Sequence, residues 1–146
     1  MTAPRTRPIL IGAAVVLALI GALVVTSIRT RPVRQSVIAF TELLAAANLG
    51  NLPRARALCS SRYLAAHPLH PSEEGGIVGL PRNMHPNFQA WREGPHVWIC
   101  PTNRVGPIYQ FALEGEAWKF DGPVGLLRGR GQMILDPALP VAESAS

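Results

Sequence analysis

The chain has 146 residues, with 14 Lys and Arg, 9 Asp and Glu, and a formal net charge of +5. That length holds one small domain. Five of the cations, Arg5, Arg7, Arg29, Arg31 and Arg34, flank a single uncharged apolar block, and the basic side chains left over equal the acidic ones in number. The body of the protein is therefore neutral, which excludes a basic nucleic-acid face, because such a face needs cations clustered against phosphates.

Residues 9–28 read ILIGAAVVLALIGALVVTSI. A helix of that length rises about 30 Å, the thickness of a bilayer's hydrocarbon core. A cleaved signal peptide has a shorter apolar region of about 7–15 residues ending in an A-x-A-like site, and Val25-Thr26-Ser27 is a poor match to one. The reading is an uncleaved signal-anchor: a basic tail over 1–8, a membrane helix over 9–28 and a basic linker over 29–32. The positive-inside count sets Arg5 and Arg7 against Arg29, Arg31 and Arg34, which leans toward a cytoplasmic domain. A short basic tail followed by an apolar run has the layout of an export signal, and on that ground an extracytoplasmic domain is expected. Ala14, Ala18 and Ala22, with Gly21 beside the last, would let two membrane helices approach closely. Ala is common in any membrane helix, and that is the stronger reading, so the expected partners are the bilayer and a protein within the membrane, with a second copy of the chain as the alternative.

After Pro32 the pattern becomes that of an amphipathic helix. Val33, Val37, Phe40, Leu44 and Ala47 recur at spacings that share one face. Asn48-Leu49-Gly50 stops it, with Gly50 as a left-handed cap. Asn51 caps a second helix with Pro53 in its first turn. Ala55, Leu58, Cys59 and Tyr63 form its apolar face, and Arg54, Arg56 and Arg62 its solvated one. Residues 65–86 are rich in Pro and Gly and read as irregular, with a short strand over 77–80. Four strand-like pieces follow, over 88–92, 96–100, 108–113 and 117–121, with turns at Glu93-Gly94-Pro95 and Glu114-Gly115-Glu116. Tyr109, Phe111 and Leu113 alternate onto one face, as do Trp118 and Phe120. Residues 133–135 offer a last edge strand in an otherwise disordered tail over 128–146. Helices followed by meandering strands predict an α+β domain over 33–127, with helices packed on a curved antiparallel sheet. Phe40, Leu44, Leu58, Trp98, Phe111 and Trp118 form the expected core.

The stretch FTELLAAANLGNLPRARALCSSRYL, residues 40–64, resembles the opening of nuclear transport factor 2-like domains: a helix, an Asn-Leu-Gly-Asn-Leu break, and a helix with an Ala-Arg-x-Leu-Cys segment. VWIC, PIYQFAL and AWKFDGP match the later strands, so the resemblance covers about residues 33–125. It implies a sheet curved around the helices into a cone. It also implies a superfamily of isomerases, dehydratases, epoxide hydrolases and non-catalytic modules, some of them membrane-anchored, and fold does not choose among these.

Family enzymes move a proton with a carboxylate, Tyr or His inside the cone, which makes Asp121, Tyr109, His96 and His85 the catalytic candidates. Each has a structural reading beside it. Asp121 precedes Gly-Pro and suits a turn, Tyr109 alternates with core residues, and His96 shares a strand face with Trp98 and Cys100. No nucleophile elbow, phosphate loop or dinucleotide fingerprint occurs. Trp91, Trp98 and Trp118 could line a ligand pocket or fill a core. His67 and His70, followed by Glu73 and Glu74, lie in a Pro-broken loop that denies the helical spacing a shared metal would use, so no metal and no cofactor are expected. Cys59 and Cys100, the two cysteines, fall short of a zinc set. They stand either as buried free thiols or as a disulfide closing about 40 residues and contributing about 4 kcal/mol in the chain-entropy model; a domain outside the cytoplasm is expected to carry the bridge, and α-carbons too far apart for it would leave the placement to the arginine count, which points inward. The expected function is a single-pass, membrane-anchored, non-catalytic module that binds a protein partner or small ligand. The alternative is a small proton-transfer, dehydratase or hydrolase-type enzyme.

Overall fold

The computed structural model describes residues 7–84, 86–102, 104–128 and 132–136, residues 7–14 for their backbone alone. Its chain divides into two units, Met1–Pro32 and Val33–Ser146. The first helix, α1 (Arg7–Asn48), runs through both. It is long and apolar enough to cross a membrane, which fits a transmembrane or signal-anchor helix. Its apolar side chains from Val15 to Ile28 are exposed, and its hydroxyls are satisfied internally: Thr26 donates to the Ala22 carbonyl at 2.7 Å and Thr30 to the Thr26 carbonyl at 3.0 Å. Such back-bonding is what a polar side chain needs where no water is present. The linker expected over 29–32 is helical. Pro32 lies inside α1, where it removes one N–H donor and its ring crowds the carbonyl of Ile28, although its fixed φ is compatible with helix.

In the second unit, α1 buries Ser36, Phe40, Leu43 and Ala47, with Val33, Val37 and Leu44 packed at the margin. The stripe is the predicted one, turned slightly so that Leu43 rather than Leu44 sits deepest. The helix ends as the sequence demands. Gly50 adopts φ +66°, the Gly50 N–H donates to Ala47 and the Asn51 N–H to Ala46, the paired bonds that satisfy orphan carbonyls at a helix C-terminus. Asn51 accepts from the Arg54 N–H and caps α2 (Leu52–Leu58). The single second helix expected through Tyr63 is instead two. Cys59 is extended and pairs as an isolated parallel bridge with Phe120, and Ser60 caps α3 (Ser61–Ala66). The Ser60 side chain accepts from the Tyr63 N–H and its own N–H donates to the Phe120 carbonyl at 2.8 Å, so tertiary pairing overrides helix continuation.

The irregular link contains one small antiparallel pair, β1 (His70–Pro71) with β2 (Ile77–Val78). Tyr63 holds it down: its hydroxyl donates to the Gly79 carbonyl and its ring stacks on His67. Five strands follow as one curled antiparallel sheet in sequence order: β3 (Phe88–Glu93), β4 (His96–Pro101), β5 (Gly106–Glu114), β6 (Ala117–Arg128) and β7 (Gln132–Leu135). The expected hairpins are present, with Glu93 opposite His96 and Glu114 opposite Ala117. Strand β6 runs well beyond the expected end at Asp121, and the predicted last edge strand forms as β7, so residues 132–135 of the expected tail are ordered in the sheet; the remainder of that tail lies largely outside the described residues.

The continuation of β6 depends on two bulges. Phe111 faces Phe120 and Gln110 faces Gly122, leaving Asp121 without an opposite number; Tyr109 faces Pro123 and Ile108 faces Gly125, leaving Val124 without one. Each inserted residue bends the strand and re-aims a side chain. Side-chain alternation then separates two faces. Val97, Ile99, Phe111, Trp118 and Phe120 pack with the helices in the main core, while Cys100, Ile108, Val124 and Leu127 form a second cluster with Trp91 and Trp98 against it. Trp98 therefore belongs to the second cluster and not to the main core, because Val97 and Ile99 take the helix-bearing positions of β4. Leu113 is also corrected: at the end of β5 it is 55% exposed, past the reach of the helices.

Gly122 makes the first bulge. It adopts φ +102°, and a Cβ there would lie 2.9 Å from the Tyr63 ring. Gly122→Ala should combine backbone strain with a clash and lower stability by about 2–4 kcal/mol. Urea unfolding of the reconstituted chain measures this; an unchanged midpoint would show that the bulge does not need glycine.

Candidate functional site

Two polar or concave features stand out in the second unit, and they are separate. The first centres on Asp121, which is 5% exposed. Its Oδ1 accepts from the Ser60 hydroxyl and from Arg62 Nε at 3.0 Å, and its Oδ2 accepts from Arg62 Nη2 at 2.6 Å and from Gln110 Nε2 at 2.9 Å. Arg62 Nη2 also donates to the Asp121 carbonyl, and Trp98 Nε1 donates to Gln110 Oε1 at 3.0 Å. The bulge produces this arrangement by turning Asp121 toward the start of α3. Burial alone would push the carboxyl pKa up, but the hydrogen bonds from Arg62, Ser60 and Gln110 and the charge of Arg62 outweigh it, and the pKa is lowered. A proton-transfer carboxyl needs the opposite tuning. Asp121 is a charged strut joining α3, β5 and β6. Arg62, expected on a solvated helix face, is half-exposed and serves as its ion-pair partner.

The second feature is a pocket of about 300 Å³ at the end of the sheet. Phe40 of α1, Met84 of the link, Phe88 of β3, Ile99 of β4 and Tyr109 of β5 give it an apolar body, and Asn83 and Arg104 add polar groups. Its far side is formed where β4 turns into β5. Gly106 is packed so closely there that a Cβ would meet Pro101 Cγ at 2.3 Å. A shallower cleft lined by Phe88, Thr102 and Arg104 adjoins it, so Arg104 borders both. The described lining holds no carboxylate and no imidazole. Tyr109 packs against Phe40 and Phe120 with ring centroids 5.3 and 5.6 Å apart. Burial raises its pKa, so its hydroxyl is a neutral donor and not a base.

The sequence candidates thus separate. Among the catalytic set, Tyr109 lines the pocket, Asp121 does not, His96 lies opposite Glu93 at the start of β4, and His85 falls outside the described residues. None of the three tryptophans lines it. Trp91 and Trp98 pack edge to face across β3 and β4 with centroids 6.0 Å apart, and Trp118 is in the main core. His67 stacks on Tyr63 and His70 is exposed on β1; among the described residues no group of three His, Cys, Asp or Glu could hold a metal ion.

The disulfide reading is corrected. Cys59 and Cys100 are buried free thiols. Cys59 pairs with β6, and β5 separates β6 from β4, which carries Cys100. Strand spacings of about 4.8 Å put the two well beyond the roughly 7 Å limit for bridged α-carbons. Cys100 also belongs to the cluster on the other face of the sheet. Burial pushes the Cys59 pKa up to about 12 and raises that of Cys100, against a smaller opposing effect of the Gln89 amide bonded to it. Both are inert thiols.

Sequence reasoning passed over Ser60, Gln110, Arg104 and Met84. Gln110 carried a signal, a polar residue in the middle of the apolar strand IYQFAL. Arg104 and Met84 carried none, since the pocket joins segments far apart in the chain. Comparison with family models, with curated proteins and with solved structures finds no match to this chain.

Because the Asp121 pKa is lower folded than unfolded, its stabilisation is complete above the unfolded value of about 3.9 and is lost as pH falls through the folded one. Asp121→Asn should therefore cost about 1.5–3 kcal/mol at pH 7, the range for hydrogen bonds to a charged group. It should also flatten the fall in stability of the native protein below about pH 4. Urea midpoints from pH 7 to pH 2 give both readouts, and parallel curves for the two proteins would contradict the strut.

Proposed function

We propose that this chain is a single-pass, membrane-anchored, non-catalytic binding module of the nuclear transport factor 2-like type, with the pocket beside Tyr109 as its small-ligand site. The observation that carries the reading is the separation of chemistry from cavity. The one buried carboxylate among the described residues is neutralised by Arg62 outside the pocket, and the pocket's described lining lacks an acid–base pair. Its volume sits at the lower end of the range for small-molecule sites, and an apolar lining with a few polar groups is the usual composition of such sites. The family reading is supported by the element order, helices first and then a curled antiparallel sheet carrying them on one face, and by the residues quoted above. A cone closed around the helices is the finer form of that reading. The apolar helix α1 supports the anchor, which would confine the module to the membrane surface and raise its effective concentration for ligands delivered there.

The extracytoplasmic placement of the domain rests on the layout of a basic tail before an apolar run. The free thiols weigh against it, because a domain outside the cytoplasm is expected to oxidise Cys59 and Cys100 to each other, and the arginine count leans inward. Glu73, exposed in the link, is a reporter position: Glu73→Cys in whole cells should react with a membrane-impermeant maleimide without lysis. Labelling only after lysis would put the domain inside.

The ligand site is tested on the full chain extracted from native membranes. Native mass spectrometry should show a small molecule bound to the wild type and absent from Met84→Trp, in which an indole fills the pocket, at equal helical content. A bound molecule retained by Met84→Trp, or none on either protein, would defeat the reading.

A further inference from the structure

We infer that the pocket takes a small amphipathic carboxylate, with a compact apolar body inside and its charged head at Arg104. This rests on the reading of the pocket as a ligand site and adds the class of ligand.

Three observations carry it. Arg104 has the only formal charge among the described lining residues, and it makes no ion pair with a described residue. It is exposed and borders both the pocket and the adjoining cleft, so its guanidinium is available at a boundary between apolar wall and water. There a cation attracts an anion more strongly than in bulk solvent, and a guanidinium fork matches the two oxygens of a carboxylate. The interior is apolar, through Phe40, Met84, Phe88, Ile99 and the Tyr109 ring, which rewards hydrocarbon and penalises a second charge. A single cation balances a monoanion, which favours a carboxylate over a doubly charged phosphate head. The volume of about 300 Å³ equals about ten waters at ~30 Å³ each, and so suits a ligand of roughly that many non-hydrogen atoms. Tyr109 contributes a protonated hydroxyl to the lining, which repels no anion.

The methionines make the test specific. Met84 lines the pocket, and Met133 lies on β7 away from it. Full-length protein in lipid nanodiscs, labelled with ¹³C at the methionine methyls, is titrated with octanoate, octanol and octylammonium, which share a chain and differ in head. Octanoate should shift the Met84 methyl saturably while Met133 stays fixed, and should bind at least about tenfold more tightly than the other two. Arg104→Gln should weaken octanoate by about ten- to hundredfold, the equivalent of a charged hydrogen bond, leave octanol unchanged, and be largely rescued by Arg104→Lys. Equal affinity for the three heads, or an octanoate affinity indifferent to Arg104→Gln, overturns the carboxylate assignment while the pocket survives as a site for neutral apolar ligands. If Met84 moves with no probe, or only in step with Met133, the ligand-site reading falls with it.

Discussion

A carboxylate out of water must be compensated, and the second unit is organised around one that is. Asp121 sits in a β-bulge with both oxygens occupied by donors from α3 and β5. Removing such partners would leave an uncompensated buried charge, a costly defect. The requirement fixes several things together: where β6 bends, where α3 starts, and which side of Gln110 faces Trp98. The Ser60 hydroxyl takes part twice, accepting from the Tyr63 N–H as a helix cap and donating to Asp121. Local helix geometry and long-range strand geometry are thereby set by one group.

The cavity lies where β4 turns into β5, beyond the reach of that anchoring. The helices cover one face through Phe40, Leu43 and Leu58, and the second cluster closes the other through Ile108, Val124 and Leu127. Neither packing arrangement fills the space between the Met84 segment and the turn from β4 to β5. The close approach of Gly106 to Pro101 narrows the far wall, and Arg104 lines the rim. A small protein with few apolar residues to spare usually fills its interior, so an open apolar space next to Arg104, which makes no ion pair with a described residue, is the feature on which the proposed binding role rests.

Much of the architecture was legible in the sequence because it is written in local signals. The apolar run over 9–28, the Asn48-Leu49-Gly50-Asn51 stop and restart, and the two glycine turns each act within a few residues, and the corresponding elements are there. What was not legible depends on pairing between distant segments. Cys59 leaves its helix to bridge Phe120, which splits the second helix; Asp121 enters a bulge rather than a turn, which carries β6 on to Arg128. Trp98 reads as core because aromatic residues usually go there, whereas the two-residue period gives those places to Val97 and Ile99. The candidate site was the least legible part. Tyr109 could be singled out as an aromatic hydroxyl on an apolar strand, but Arg104 and Met84 become neighbours of it only once the sheet has formed.

The paired bulges of β6 have a consequence for how this sequence can change length. Each inserts one residue and so puts the side-chain alternation out of step with residue number by one, and the second shift cancels the first. Phe120 before them points to the helices, and Leu127 after them points to the second cluster with its partner Gly106, as an unbroken strand would have it. Losing Asp121 or Val124 alone would remove the unpaired residue of its bulge and leave the other pairs of β5 and β6 in register, so that Leu126 and Leu127 keep their faces. Losing Asp121 would also remove the buried ion pair with Arg62, whereas losing Val124 would remove an apolar side chain from the second cluster. This strand can therefore change length by one residue at a bulge without turning its side chains over, a tolerance that its regularly paired positions lack.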